Sequence, residues 1–183
     1  MLRGPSCVAA LGVSGGIPVA DTLKLTPRET VTIRRSEPEV LEVEALYAPG
    51  GSPPPAHLHP EQEEHFEVLS GEIRARVDGD DRTLSAGETL DIPRGTKHQM
   101  WNASSAETRL LWQTRPAGRT EQWFRTIDRL IRENGGRMPG PAAFAAVLGE
   151  YRDVFRLAAA PDWALRPALG ALGAVGRMRG RRS

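Results

Sequence analysis

Residues 51–71 read GSPPPAHLHPEQEEHFEVLSG and bring two histidines and a run of acidic residues together in a short, proline-rich segment. His57 and His59 are two positions apart, so on an extended strand their side chains point to the same face. Glu64 shares its parity with the apolar residues that follow it, and we expect its carboxylate on the inward side of the next strand. Glu63 has the outward parity, so the pattern favours Glu64 as the inward acid.

A second stretch, residues 87–102, reads GETLDIPRGTKHQMWN and supplies a third histidine. His98 follows the tight turn at residues 93–95, and its parity partner Met100 is apolar. All 4 histidines of the chain lie between positions 57 and 98, and three of them belong to this pattern. Burying three imidazoles and a carboxylate together is costly without a cation, so the pattern indicates metal binding.

The two stretches resemble the two sequence motifs of the cupin superfamily. The first is similar to G-x5-H-x-H-x3–4-E-x6-G and the second to G-x5-P-x-G-x2-H-x3-N, and every defined position is filled in both. The resemblance covers about residues 30–114 and implies a small jelly-roll β-barrel with a metal inside one mouth. It implies as metal ligands His57, His59, Glu64 and His98. The residues that match the backbone positions of the motifs, where tight turns are expected, are Gly51, Gly71, Gly87, Pro93 and Gly95.

Three neutral imidazoles and one carboxylate form a ligand set that suits Fe(II), Mn(II), Ni(II), Co(II), Cu(II) or Zn(II). Because the set has no thiolate, a closed structural zinc site is disfavoured. We expect one such divalent transition metal per chain, with open positions for water, substrate or dioxygen. In an enzyme of this kind Glu64 would be the catalytic residue, moving on and off the metal as a base.

Four apolar residues near the motifs either line a substrate pocket or form ordinary barrel core, and the sequence does not separate these roles. They are Phe66, Val68, Met100 and Trp112. Asn102 is expected to tie neighbouring groups together without touching the metal. His65 and Glu67 have outward parity and are expected at the solvent or at an interface.

Short apolar runs separated by turn signals, with no helical period among them, predict a mainly β domain between about Glu29 and Thr114. In one of these runs Ile73, Ala75 and Val77 alternate with charged residues, which is typical of a half-buried strand.

Beyond residue 116 the apolar period becomes helical and predicts a C-terminal appendage of two to three helices. The first helix carries apolar residues from Trp123 to Ile131 and is stopped at residues 134–136. The second starts at residues 140–141, and its apolar side continues to Phe155. A third, weaker helix is predicted over residues 162–172. The appendage could pair two chains into a homodimer or fold back across its own barrel, and the sequence leaves both open.

The predicted organisation is a disordered leader at residues 1–20, a cupin β-barrel at 21–116, the helical appendage at 117–175 and a basic disordered tail at 176–183. The lone cysteine, Cys7, cannot form a disulfide within the chain, so the reducing cytoplasm is the expected compartment.

The composition narrows the classes of function. The chain has 24 Lys+Arg and 23 Asp+Glu, so it lacks the excess of positive charge that is typical of proteins that bind nucleic acid or a membrane surface. We expect neither as a partner. The leading hypothesis is a metal-dependent small-molecule enzyme, dioxygenase-like on a chelating oxygen substrate. The alternatives are a non-enzymatic metal-dependent module that binds or senses a small molecule, and a metal-assisted isomerase or decarboxylase.

Overall fold

Two antiparallel β-sheets and two helices make up the computed structural model of the chain, which describes residues 21–158. The first sheet has the strand order β1-β2-β3-β10-β5-β8 and the second has the order β11-β4-β9-β6-β7. The strands of the first sheet are β1 (Thr22–Thr26), β2 (Glu29–Glu37), β3 (Val40–Tyr47), β5 (Glu63–Ser70), β8 (Thr89–Ile92) and β10 (Thr108–Arg115). Those of the second are β4 (His57–Leu58), β6 (Glu72–Val77), β7 (Asp80–Ser85), β9 (His98–Trp101) and β11 (Arg156–Leu157).

Alternating side chains fill the space between the sheets, as the mainly β prediction requires. In β6, Ile73 and Ala75 are 1% and 0% exposed, whereas Arg74 between them is exposed. The inward residues of both sheets join one apolar core, which also includes residues of the helices. The prediction of a jelly-roll fold with a C-terminal helical appendage is therefore confirmed.

Helix α1 (Thr120–Glu133) covers the barrel of its own chain. Its apolar face carries the predicted stripe, and Phe124 packs against Trp112 of β10 with ring centroids 5.1 Å apart. Asp128 accepts a hydrogen bond of 2.8 Å from the backbone N–H of Lys24 in β1. The sequence left open whether the helices pair two chains or pack on the barrel of their own chain. Helix α1 packs on its own barrel, and formation of a homodimer stays a prediction.

The chain leaves α1 at the predicted stop. Gly135 has a positive φ of 65°, which a residue with a side chain adopts only at a cost. The backbone N–H of Gly136 then donates to the carbonyl of Ile131 at 2.8 Å and so satisfies one of the last free carbonyls of the helix.

Helix α2 (Pro141–Glu150) is shorter than its apolar pattern predicts. The predicted apolar side continues through Val154 and Phe155, but the chain turns after residue 150 and Arg156–Leu157 forms strand β11. This strand pairs antiparallel with His57–Leu58 of β4. The helical prediction beyond residue 150 was wrong because the sheet edge offers this segment hydrogen bonds that a local pattern does not reveal.

Several predicted segments lie outside the described residues. They are the leader with Cys7, the third helix at residues 162–172 and the basic tail at 176–183. Within residues 21–158, no helix is long and apolar enough to cross a membrane.

Candidate metal centre

Three histidines meet where β4 and β9 lie side by side. His57 of β4 is paired in register with His98 of β9, and their ring centroids are 4.3 Å apart. His59 follows directly after β4, and its ring lies 5.4 Å from that of His57 and 5.3 Å from that of His98. One nitrogen from each ring can be chosen so that all three lie within 4.8 Å of one another, a spacing that could hold a metal ion.

Each of these rings is fixed from behind by a backbone carbonyl. The Nδ1 atoms lie within hydrogen-bonding distance of the carbonyl oxygens of Pro55 for His57 (3.2 Å), Val154 for His59 (2.6 Å) and Thr96 for His98 (3.0 Å). A carbonyl only accepts, so each Nδ1 carries the hydrogen and donates it. In a neutral ring the Nε2 atom then carries a lone pair, which is the arrangement of histidines that ligate a metal through Nε2.

The carboxylate of Glu64 enters this cluster from β5 of the other sheet. The side chain is 3% exposed, and its oxygens lie 3.3 Å from His59 Nε2 and 3.1 Å from His98 Nε2. Trp112 Nε1 donates a hydrogen bond of 3.1 Å to Oε1. Within residues 21–158, Oε2 is buried and accepts no hydrogen bond. A buried carboxylate oxygen that accepts no hydrogen bond is costly, so this atom indicates that a cation belongs beside it.

The electrostatics of the cluster keep Glu64 ionised and His57 unprotonated at neutral pH. Burial and the neighbouring His98 and His59 lower the pKa of His57 to about 3. Burial alone would raise the pKa of Glu64, but His59 and His98 outweigh it and lower this pKa to about 2. Burial would lower the pKa of His98, but the Glu64 carboxylate outweighs burial, so the pKa of His98 is raised overall. Lone pairs of neutral rings that face a carboxylate repel one another unless a cation lies between them, so these residues fit a divalent metal.

The other acidic and histidine candidates lie away from the cluster. Glu63 is exposed on the outer side of β5. His65 faces outward and its Nδ1 lies 2.6 Å from Asp91 Oδ1. Glu67 is half-buried on the same outward face.

A cavity of about 140 Å³ contains the cluster and is walled mainly by aromatic side chains. Of the four apolar candidates, Phe66, Met100 and Trp112 line it, whereas Val68 is buried but is not part of its wall. Phe66 and Trp112 stack with their centroids 5.5 Å apart.

Asn102 ties two backbone segments together through three hydrogen bonds. Its Nδ2 donates to the carbonyls of Tyr47 (3.1 Å) and Ala106 (2.7 Å), and its Oδ1 accepts from the backbone N–H of Ser104 (2.9 Å). The side chain is 1% exposed. It therefore fixes the end of β3 relative to the loop after β9.

The motif glycines Gly71 and Gly95 have a positive φ, which disfavours a residue with a side chain. Gly71 has φ of +81°, and an added Cβ would lie 2.6 Å from the carbonyl oxygen of Glu107. Gly95 has φ of +75°, and its N–H donates to the carbonyl of His59 at 2.8 Å, which ties the turn before His98 to the other histidine strand. The remaining motif positions, Gly51, Gly87 and Pro93, lie in the loops or turns that precede His57 and His98.

The C-terminal segment supplies parts of the site that the sequence did not reveal. Phe155 stacks on His57 with centroids 4.6 Å apart, and Trp123 of α1 stacks on Phe155 at 5.1 Å. Together with the Val154 carbonyl, these residues hold two of the three histidine rings. The only signal in the sequence was the apolar stripe itself, which is equally typical of helix packing.

Two further polar residues, Glu29 of β2 and Tyr47 of β3, also line the cavity. They are opposite each other in the β2–β3 ladder. Glu29 has the same parity as the buried Val31, and Tyr47 the same as the buried Ala45, so strand alternation could have placed both side chains inward.

Comparisons with known proteins agree with this geometry. Residues 43–114 match a family model described as the cupin domain. The chain is 43% identical over 56 residues to oxidoreductase iacF of Pestalotiopsis fici, covering 30% of this chain and 28% of that protein. It is 38% identical over 69 residues to oxalate oxidase 1 of Hordeum vulgare, covering 33% and 34%. The chain thus spans about a third or less of the length of these two relatives.

Among solved structures, an RmlC-like cupin from Shewanella frigidimarina is similar with a TM-score of 0.50 at 18% identity. The match covers 56% of this chain and 89% of that one and concerns the fold.

Proposed function

The chain contains a cupin domain at residues 43–114, and from this premise we propose that it is a metal-dependent enzyme acting on a small molecule. One divalent transition metal would be held by His57, His59, Glu64 and His98. The reaction would be of the dioxygenase type, in which both atoms of one dioxygen molecule enter one molecule of a substrate that chelates through oxygen.

The observation that carries this proposal is Oε2 of Glu64, which accepts no hydrogen bond from the described residues and lies 3.1 Å from Nε2 of His98, a ring that donates through Nδ1 to the Thr96 carbonyl. A purely structural core does not require three rings held by carbonyls so that their lone pairs converge. A bound metal would supply Lewis-acid and redox chemistry at this point.

The residues around the cluster have separate roles. Trp112 donates a hydrogen bond to Glu64 Oε1 and so orients the carboxylate, with Oε2 directed at the cluster as the metal ligand. When Oε2 moves off the metal, it would take a proton from a substrate hydroxyl. The rings of Trp123 and Phe155 cover the cluster from the side of the helices and exclude water there. Because most of the wall is apolar, a substrate would be oriented by the cluster and by the few polar side chains of the wall.

Dioxygen uptake tests this proposal. The protein, separately loaded with Fe(II), Mn(II), Ni(II), Co(II) or Cu(II), is supplied with small phenols, diketones and flavonols in an oxygen-electrode cell. We expect uptake of one dioxygen per substrate with at least one metal. Glu64→Gln should lower the rate by about a hundredfold or more, whereas the exposed neighbour variant Glu63→Gln should keep it.

An absence of uptake with every metal and substrate class would contradict the oxidative reaction. If ligands then raised the melting temperature without being converted, the protein would be a binding module.

A further inference from the structure

Glu29 and Tyr47 form a polar pair in a cavity whose wall outside the metal cluster is otherwise apolar except for Thr120. Their strands belong to the first sheet, whereas the histidines come from the second. Among the described residues 21–158, no lysine or arginine lines the cavity, so the Glu29 carboxyl has no cationic partner there. Even partial burial of a carboxyl group with one phenol as its neighbour costs free energy that packing alone does not explain.

Glu29 and Tyr47 also lie at the boundary between this inner cavity and a second pocket that is more open to solvent. This outer pocket of about 460 Å³ is bordered by the β1–β2 turn and the loop that precedes β4. Four residues line both this outer pocket and the inner cavity, namely Glu29, Tyr47, Pro54 and Met100. A molecule that enters from the outer pocket would therefore meet Glu29 and Tyr47 before it reaches the histidines.

We propose that Glu29 and Tyr47 bind the substrate directly, by hydrogen bonds to a hydroxyl group of a small, uncharged aromatic molecule whose other oxygen reaches the cluster of His57, His59, Glu64 and His98. This inference rests on the proposed function of that cluster and names the substrate class for it.

The size and chemistry of the cavity define that class. A volume of about 140 Å³ is below the range of about 300–1,000 Å³ for drug-sized ligands, so one ring with its substituents fills it. Its wall of phenylalanine and tryptophan rings favours an aromatic body. A dianion such as oxalate finds no cationic side chain in this wall and faces a second carboxyl group at Glu29.

The protonation of Glu29 is consistent with this role. Burial raises the pKa of its carboxyl, the Tyr47 hydroxyl lowers it and the charge of Glu64 raises it, with a resulting pKa of about 7. Near neutral pH the group is present in both forms, so it can donate or accept a hydrogen bond with a substrate hydroxyl.

Binding of two contrasting probes tests the proposal. The protein is loaded with Zn(II), which does not oxidise the probe, and titrated anaerobically with catechol or with oxalate. Quenching of the fluorescence of Trp112 and Trp123, which line the cavity, gives the dissociation constants. The variants are Glu29→Gln and Tyr47→Phe, with Glu67→Gln on the outward face as the matched control. Bound zinc is measured for every variant by mass spectrometry.

We expect the wild-type protein to bind catechol at least tenfold more tightly than oxalate. Glu29→Gln and Tyr47→Phe should each weaken catechol binding about tenfold, the effect of losing one buried hydrogen bond. Glu29→Gln should also tighten oxalate binding, because it removes a like charge, and a merely structural role of Glu29 does not predict this. Glu67→Gln should leave both constants unchanged.

The outcomes separate this inference from the proposed function. Full zinc content combined with unchanged catechol binding in both cavity variants would overturn the role of Glu29 and Tyr47 and leave the metal centre standing. A zinc-loaded wild-type protein that binds oxalate as tightly as catechol would overturn the substrate class. A wild-type protein that cannot be loaded with metal would contradict the proposed function itself.

Discussion

Replacing Glu29 with glutamine changes the charge of the cavity at nearly constant side-chain size. In the folded protein the pKa of Glu29 is raised from 4.5 to about 7, chiefly by burial. The folded state holds the proton of Glu29 more tightly than the unfolded chain does. The contribution of this proton to the free energy of unfolding is therefore present in full below pH 4.5 and is lost as the pH rises through 7. The difference between the two pKa values corresponds to about 3 kcal/mol as an upper limit, since water that reaches the half-buried residue reduces it.

Urea unfolding measures this effect. Wild type and Glu29→Gln are unfolded at pH 5 and at pH 8.5 in the presence of EDTA, so that metal release does not contribute. Between these pH values the wild-type protein should lose about 1–2 kcal/mol relative to the variant. With a slope of about 2 kcal/mol per molar urea, its midpoint should fall by about 0.5–1 M relative to that of the variant.

The other titrating groups that face Glu29 are Tyr47 of β3 and Glu64 of β5. Both remain in the variant, so their own titrations largely cancel in the comparison. Glu67→Gln, on the outward face of β5, should follow the wild-type protein at both pH values. Parallel pH dependences of wild type and Glu29→Gln would refute the reasoning, because they would mean that Glu29 is ionised in the fold without penalty.

Two substitutions and a change of pH test the contacts that support the metal site and the barrel. Phe155→Ala removes the ring stacked on His57 and should destabilise the protein by about 2 kcal/mol and weaken metal binding about tenfold, as measured by thermal unfolding and by competition with a chelator. Gly71→Ala places a Cβ 2.6 Å from the Glu107 carbonyl oxygen at a positive φ and should cost about 3 kcal/mol, seen as a lower urea midpoint; an unchanged midpoint would contradict that close approach. For the metal-free protein we expect the free energy of unfolding to fall as the pH is lowered from 6.5 towards 3. In the fold the pKa of His57 is lowered to about 3 and that of Glu64 to about 2, so the unfolded chain binds more protons over this range. Urea midpoints that stay level between these pH values would argue against the buried cluster.

The alternation of apolar and polar residues was sufficient to predict most strands of the barrel, because successive side chains of a strand point to opposite faces. The same rule distinguishes Glu64, which is 3% exposed, from its exposed neighbour Glu63. The end of α1 was predictable for a different reason, since the two glycines at 135 and 136 permit the positive φ that this exit requires.

The parts that could not be predicted depend on contacts between distant residues. Phe155 continues the spacing of the α2 stripe, and nothing local shows that Arg156–Leu157 pairs with His57–Leu58, almost a hundred residues earlier in the chain. The carbonyl of Val154 is likewise a backbone group whose role depends only on where the chain turns.

Metal analysis of the protein purified without a histidine tag tests the central claim most directly. We predict about one equivalent of a divalent transition metal per chain by mass spectrometry. The double variant His57→Ala/His98→Ala should lose it, and His65→Ala, which removes the histidine outside the cluster, should retain it. A wild-type protein that holds no metal even after reloading, or a double variant that holds as much as the wild type, would contradict the claim that these histidines form a metal centre.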